Sequence, residues 1–144
     1  MFADAQARRF YPTMKQAGQS EQWIQWNLDN YATHGFGLWV LEDRESGSFL
    51  GDCGLTYQPV EGQRLLEIGY HLTARHRGKG YATEAGAACI SYSFDVLKAP
   101  IVCSIVDPEN TDSLAVASRL HQFDRNFIND KGQEMRLFWS PRPS

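Results

Sequence analysis

The chain has few cysteines, and no pattern that would join them. Its 144 residues include three, Cys53, Cys89 and Cys103, which lie far apart in apolar surroundings and form no C-x-x-C pair. This spacing indicates neither a disulfide framework nor a zinc site. Because cysteine is among the most often buried residues, we expect three reduced, buried thiols.

Long hydrophobic runs are also absent. No stretch approaches the roughly 18 consecutive apolar residues of a membrane helix. The opening residues, MFADAQARRFYP, lack the apolar core of a secretory signal. We therefore expect a cytoplasmic protein with no membrane partner.

The chain has no excess of positive charge either. Its formal net charge is −3 at pH 7, so nucleic-acid binding would need a local basic patch that opposes the charge of the whole molecule. Hydrophobic residues make up 42% and charged residues 22%, as in ordinary globular proteins. The length predicts a single domain over residues 1–144, in which residues 1–19 form an irregular N-terminal segment.

What the sequence does contain is a regular succession of helix-like and strand-like segments. Ser20 is a candidate N-cap for a first helix that Gly35 ends. The later segments are strands at 36–43, 49–58 and 65–74, a helix from 80 to about 97, an apolar strand at 99–107, a helix opened by residues 108–110, and a hairpin turning at 130–132. This order predicts a mixed α/β (α+β) fold.

Some side chains have structural interpretations. Helical spacing predicts one buried face on the first helix, formed by Trp23, Ile24, Asn27, Leu28 and Tyr31. Trp26 lies off that face; with Trp23 and Tyr31 it is interpreted as core rather than as lining for a substrate site. Three histidines have no metal-like spacing and are interpreted as surface residues: His34, His76 and His121.

The segment HLTARHRGKGYATEAGAACI (71–90) runs from a strand through a basic bend into a helix. Unpaired amides at a helix start, together with the helix dipole, attract phosphate. The bend matches neither the G-x-x-x-x-G-K-[ST] nor the G-x-G-x-x-G phosphate motif. Its basic run, Arg75 to Lys79, is short and has no aromatic ladder for nucleic acid. A phosphate cradle and a solvated surface turn remain the two interpretations.

At this bend the residues resemble a known family. RGKGYA (77–82) is similar to the [Q/R]-x-x-G-x-[G/A] signature of the GNAT acetyltransferases, and EIGYHLTARHRGKGYATEA resembles the RimJ/RimL-like branch. PENTDSLAVASRL (108–120) resembles the same branch, and the likeness spans roughly residues 20–139. It implies a mostly antiparallel sheet with splayed central strands, flanked by helices, and acetyl-CoA as cosubstrate, without a metal.

The resemblance also implies positions for the cofactor. The pyrophosphate would lie on the backbone of Arg77, Gly78, Lys79, Gly80, Tyr81 and Ala82. A strand amide near His71 or Leu72 would polarise the thioester. Asn110 would contact the cofactor as well as cap a helix, and Ser113 would be a second contact and a candidate proton donor to the thiolate.

Acetyl transfer to an amine needs a base near neutral pH. Glu67 lies in the middle of the third strand and is the first candidate, acting through water; its alternative is a carboxylate that faces solvent or pairs with Arg64. His71 is a second candidate, since histidine titrates near neutrality. It could equally be a wall residue.

The chain departs from the family in two places. We expect the first family strand to be missing, so that strand 36–43 becomes a sheet edge that residues 1–15 or a second copy of the chain would cover. The end of the last helix reads His121-Gln122-Phe123 in place of glycine-phenylalanine, which alters the pocket floor.

The sequence therefore predicts an N-acetyltransferase that acts on a primary amine, either a protein N-terminus or a small amine. The alternative is a catalytically silent acyl-CoA-binding module of the same fold, motivated by the missing strand. Nucleic acid is not expected as a partner, and the exposed edge is a candidate surface for a homodimer.

Overall fold

The computed structural model describes residues 19–144. The described residues form three α-helices, six strands and one short 3-10 turn, in the predicted order. They are α1 (Gln19–His34), β1 (Leu38–Glu42), β2 (Phe49–Val60), β3 (Gln63–Leu72), the turn Ala74–His76, α2 (Tyr81–Asp95), β4 (Ile101–Val106), α3 (Thr111–Leu120), β5 (Phe123–Ile128) and β6 (Glu134–Pro141).

The strands form one sheet in the order β1-β2-β3-β4-β6-β5. Four of the neighbouring pairs are antiparallel, and β3 and β4 are parallel. The predicted mixed, mostly antiparallel fold is therefore confirmed. β1 is the outer strand among residues 19–144, as expected; the proposed cover by residues 1–15 lies outside the described residues.

The core lies on both faces of the sheet. One cluster joins β2, β3 and β4 to α2 and includes Leu55, Ile68 and Val102. A second lies on the opposite face around Cys103 and Leu137. β4 contributes to both, which explains why its sequence is a nearly continuous apolar run.

All three cysteines are free and buried, as predicted. Cys53 of β2 faces Cys89 of α2, with 3.8 Å between the sulfur atoms. The two thiols are therefore part of the contact between α2 and the sheet. Among the described helices, none is long and apolar enough to span a membrane.

The predicted buried face of α1 is partly wrong. Ile24 and Leu28 are 52% and 51% exposed, and Trp26, which we assigned to the core, is 38% exposed. Asn27 and Tyr31 contact the sheet instead. They are four residues apart and therefore lie on the same side of the helix. Ile24 and Leu28 lie about 100° further round the helix, on its flank.

Polar bonds, rather than apolar packing, attach α1 to β1. Asn27 is buried, and its Oδ1 accepts a hydrogen bond from the Leu38 N–H at 3.0 Å. The Tyr31 hydroxyl donates to the Leu38 carbonyl. An amide and a phenol in an otherwise apolar-looking stripe thus fix the helix against the start of the strand.

The three histidines interpreted as surface residues are all partly buried, so that prediction is wrong. His34 stacks on aromatic rings of the core. His121 lies between two buried serine hydroxyls, Ser104 at 2.8 Å and Ser140 at 3.1 Å. Burial lowers the pKa of His121 to about 4. The sequence could not show this, because both serines come from strands that the fold places beneath the end of α3.

Two glycines of β2 allow close backbone contact. A Cβ atom on Gly51 would lie 1.9 Å from the carbonyl oxygen of His71, and one on Gly54 would lie 2.0 Å from that of Gly37. Neither position can hold a side chain without moving the neighbouring strand.

Candidate functional site

The bend between β3 and α2 has the geometry of an anion cradle. Gly78 and Gly80 have φ values of +75° and +85°, which glycine adopts most readily. The Glu84 N–H donates the first intrahelical bond, to the Gly80 carbonyl at 3.0 Å. The amides of residues 81–83 therefore have no intrahelical acceptor. A Cβ on Gly78 or Gly80 would meet no atom within 4 Å, so this backbone faces open space.

Two polar atoms in this segment lack a partner. His76 Nδ1 and Thr83 Oγ1 are buried and form no hydrogen bond among the described residues. His76 precedes the glycines, and Thr83 lies in the first turn of α2. Buried polar groups are nearly always paired, so both have bonding capacity for a bound group. Together with the open glycine backbone and the basic residues, they fit the phosphates of coenzyme A.

The junction between β3 and β4 is loose. Their register over the described residues consists of one pair, Glu67 opposite Cys103, whereas β4 pairs with β6 from Ile101 to Val106. The backbone pairing of these two strands is therefore limited to this single position. This agrees with the splayed central strands that the family resemblance implied.

Glu67 occupies that junction. Its Oε2 accepts a hydrogen bond from the Ile105 N–H at 3.0 Å, across the gap between the strands. Burial raises the pKa of Glu67 to about 7, although the bond from Ile105 acts in the opposite direction. The alternative pairing with Arg64 is wrong, because the Arg64 guanidinium lies over the Tyr57 ring, 4.0 Å from its centre.

His71 is paired rather than isolated. Its Nδ1 lies 2.7 Å from Oδ1 of Asp52, which is directly opposite on β2. The Trp23 ring meets the His71 ring edge to face, with 6.5 Å between centroids. Leu72, the next residue, ends β3 at the entrance to the cradle.

The start of α3 is fixed against β3. Asn110 Oδ1 accepts a hydrogen bond from the Ser113 N–H at 3.2 Å, which confirms the predicted cap. The Tyr70 hydroxyl donates to the Ser113 carbonyl at 3.0 Å. The candidate residues Asn110 and Ser113 are thus attached to the strand that carries Glu67.

Four residues near these groups were missed by the sequence reasoning: Asp52, Tyr70, His76 and Thr83. Asp52 carried a usable signal, because it is an acidic residue within an apolar strand. The other three occupy ordinary positions, and their roles depend on contacts that only the fold creates. No group of three or more potential metal ligands occurs within residues 19–144.

Comparison with known proteins identifies the family. The model of the acetyltransferase (GNAT) domain matches residues 1–121. The uncharacterized protein YkkB of Bacillus subtilis is 38% identical over 120 residues, which are 83% of this chain and 70% of that protein. The uncharacterized N-acetyltransferase p20 of Bacillus licheniformis is 38% identical over 87 residues, or 60% of this chain and 48% of its own length. The chain belongs to the GNAT acetyltransferase family.

A solved structure agrees with this assignment at the level of the fold. An acetyltransferase from Agrobacterium tumefaciens superimposes with a TM-score of 0.83 at 24% identity, covering 98% of this chain and 81% of that one. GNAT acetyltransferases use acetyl-CoA as the acetyl donor, and the cradle at residues 77–82 was predicted for its pyrophosphate.

Proposed function

We propose that this acetyltransferase acetylates a primary amine, with Glu67 as general base. One observation carries the proposal: the Glu67 carboxyl lies at the single paired position of β3 and β4, where its Oε2 accepts a hydrogen bond from the Ile105 N–H and burial raises its pKa to about 7. An ordinary carboxylate is too weak a base to take a proton from an amine, whereas one that titrates near neutrality is suited to it.

Each other candidate has a part in this proposal. Acetyl-CoA supplies the activated acetyl group as a thioester. The amides of residues 77–82 hold its pyrophosphate at the start of α2, and the amide of His71 or Leu72 polarises the acetyl carbonyl. Glu67 receives a proton from the acceptor through water. Asn110 contacts the cofactor, and Ser113 returns a proton to the leaving sulfur.

The acceptor we propose is a protein N-terminus or a small amine, in keeping with the RimJ/RimL-like motifs EIGYHL and PENTDSLAVASRL. The name of the p20 relative, an N-acetyltransferase, supports an amine. The described part of the site adds acidic groups, Glu67 and Asp52, which favour a cationic acceptor.

Two measurements test the proposal. Thermal unfolding is followed with acetyl-CoA, CoA and ATP; the two CoA species should raise the midpoint, whereas ATP, which lacks pantetheine, should do so less. Thiol release is then followed over a panel of primary amines. Glu67→Gln should lose most activity, whereas Glu61→Gln, an exposed glutamate on the β2–β3 turn, should keep it.

The outcomes separate the alternatives. No stabilisation by either CoA species would reject both the enzyme and the binding module. Stabilisation without thiol release for any amine would favour the silent acyl-CoA-binding module. Full activity of Glu67→Gln across pH would reject Glu67 as the base.

A further inference from the structure

We propose that Cys53 and Cys89 form a reversible oxidation site, which hydrogen peroxide converts to a disulfide that weakens the binding of coenzyme A. The two thiols belong to different elements, the strand β2 and the helix α2, and α2 begins at the cofactor cradle. The site acts on cofactor binding, so it lies beyond the proposed acetylation of an amine and does not depend on the identity of the acceptor.

The first support is the contact between the two thiols. Their sulfur atoms lie 3.8 Å apart. A disulfide needs about 2.05 Å between its sulfur atoms, so the bond requires an approach of about 1.8 Å. Cys103, the third thiol, belongs to the core cluster on the opposite face of the sheet and cannot take part. The fold therefore brings together one defined pair of thiols.

The second support is the way in which the two elements are held. Cys53 lies within the sheet, where it is paired with Trp39 of β1 on one side and with Tyr70 of β3 on the other. The helix α2 is held against the sheet by side-chain packing in the core cluster that contains Cys53 and Cys89. Of the two backbones, that of α2 is therefore the one that moves when the sulfur atoms approach each other.

Movement of α2 reaches the cradle because the same helix carries both. Cys89 comes eight residues after Tyr81, the first residue of α2, which is about 12 Å along the helix axis. On its other side α2 is packed closely against α3, since a Cβ on Gly86 would lie 2.5 Å from Cδ1 of Leu120. A shift at Cys89 is therefore passed along the helix, and it displaces the amides of residues 81–83 from the cofactor phosphates.

The two thiols have different parts in the reaction. The hydrogen bond from Cys53 lowers the pKa of Cys89, whereas the same bond, together with burial, raises the pKa of Cys53. Cys89 is also the more exposed of the two, at 7% against 2%. Because the thiolate is the reactive form, Cys89 reacts first. Its low exposure makes this step slow, and hydrogen peroxide is the oxidant proposed because it is hardly larger than a water molecule.

The oxidation balances with one molecule of peroxide. The Cys89 thiolate attacks one oxygen, the O–O bond breaks, and hydroxide leaves as Cys89 becomes a sulfenic acid. The Cys53 sulfur then attacks the sulfur of the sulfenic acid, the S–S bond forms and the S–O bond breaks, and water leaves with the Cys53 proton. Two thiols are thus oxidised to one disulfide, and the peroxide is reduced to two waters. An added dithiol reverses the change by exchange.

The coupling between the disulfide and the cofactor is reciprocal. A disulfide that lowers the affinity for coenzyme A is itself disfavoured, by the same factor, when coenzyme A is bound. Both directions are measured with desulfo-CoA, which keeps the nucleotide and most of the pantetheine arm. It has no thiol, so it neither exchanges with a protein disulfide nor reacts with the peroxide.

The first experiment follows the bond. The wild type is treated with hydrogen peroxide, and its intact mass is measured without reductant. It should lose two hydrogen atoms, the peptides that contain Cys53 and Cys89 should be found joined, and dithiothreitol should separate them again. Cys103→Ser should form the same disulfide, whereas Cys89→Ser should form no disulfide within the chain.

The second experiment follows the cofactor site by calorimetry with desulfo-CoA. The oxidised wild type should bind about tenfold more weakly than the reduced protein, and reduction should restore the affinity. Cys53→Ser, which lacks the resolving thiol, should bind equally well before peroxide treatment and after peroxide followed by dithiothreitol. In a dithiothreitol redox buffer at equilibrium, saturating desulfo-CoA should lower the fraction of wild type that holds the disulfide.

Failure of the wild type to form the Cys53–Cys89 disulfide would overturn the proposal, and so would a disulfide that leaves the affinity for desulfo-CoA unchanged. Both readings are taken on the wild type, so they do not depend on whether a cysteine variant folds. A reduced protein that binds desulfo-CoA but acetylates no amine would overturn the proposed function and leave the oxidation site supported by its own result. A reduced protein that does not bind desulfo-CoA would overturn the oxidation site as a control on cofactor binding.

Discussion

Replacing Glu67 with glutamine should stabilise the protein in alkaline solution and leave its stability in acid almost unchanged. Burial raises the pKa of this carboxyl from 4.5 to about 7, so the folded state holds the proton more tightly than the unfolded chain does. Below pH 4.5 the Glu67 carboxyl is protonated in both the folded and the unfolded state, so it does not lower the free energy of unfolding. As the pH rises through 7, the folded state must bury a charge.

The magnitude follows from the shift. A pKa shift of about 2.5 units, at about 1.4 kcal/mol per unit, corresponds to about 3 kcal/mol. The wild type should lose this much free energy of unfolding as the pH rises from 4.5 through 7. Glutamine keeps an oxygen that can accept the bond from the Ile105 N–H, so the variant avoids the buried charge without leaving that amide unpaired.

The assay is urea unfolding at pH 5 and pH 8, followed by tryptophan fluorescence, for the wild type, Glu67→Gln and the surface control Glu61→Gln. The advantage of Glu67→Gln should be small at pH 5 and about 3 kcal/mol at pH 8. A difference that does not change with pH would refute the buried, proton-holding carboxyl, and with it the physical basis for Glu67 as base.

Three further predictions concern other parts of the molecule. Gly80→Ala and Gly132→Ala both force an L-residue into a positive φ and should each lose about 1 kcal/mol in urea unfolding; calorimetry should show weaker CoA binding for Gly80→Ala alone. Asn110→Ala should cost about 1 kcal/mol, because it removes the cap of α3, and Asn110→Asp should restore it in the same assay. His121, whose folded-state pKa is about 4 rather than 6.5, should stay neutral in a resonance titration at pH 5. The buried, neutral His121 resists protonation in the folded state. The free energy of unfolding of the wild type should therefore fall by about 3 kcal/mol relative to that of His121→Gln as the pH falls from 6.5 through 4.

The order of elements could be predicted from the sequence because each segment has a local signal. β4 is a continuous apolar run, Asn110 has the spacing of a helix cap, and Gly80 stands where the strand pattern changes to a helical one. These signals depend on neighbours in the chain, so they need no knowledge of the fold. The bend at residues 77–82 was predicted as a phosphate cradle from the same kind of local signal.

The rest of the site depends on contacts between distant segments. Asp52 and His71 are 19 residues apart and meet through the register of β2 and β3. The Glu67 carboxyl accepts its hydrogen bond from Ile105, which is 38 residues away. The burial of α1 was misjudged because hydrogen bonds from Asn27 and Tyr31 carry part of its contact with the sheet, and a count of apolar residues does not register such bonds.

The most direct test of the account is thiol release from acetyl-CoA in the presence of a primary amine, with the acceptor analysed by mass spectrometry. The account predicts an N-acetylated product whose formation requires the amine, rises with pH through about 7 as Glu67 ionises, and falls sharply in Glu67→Gln but not in Glu61→Gln. Thiol release that is independent of the amine, or an acetylated product formed equally well by Glu67→Gln, would contradict it.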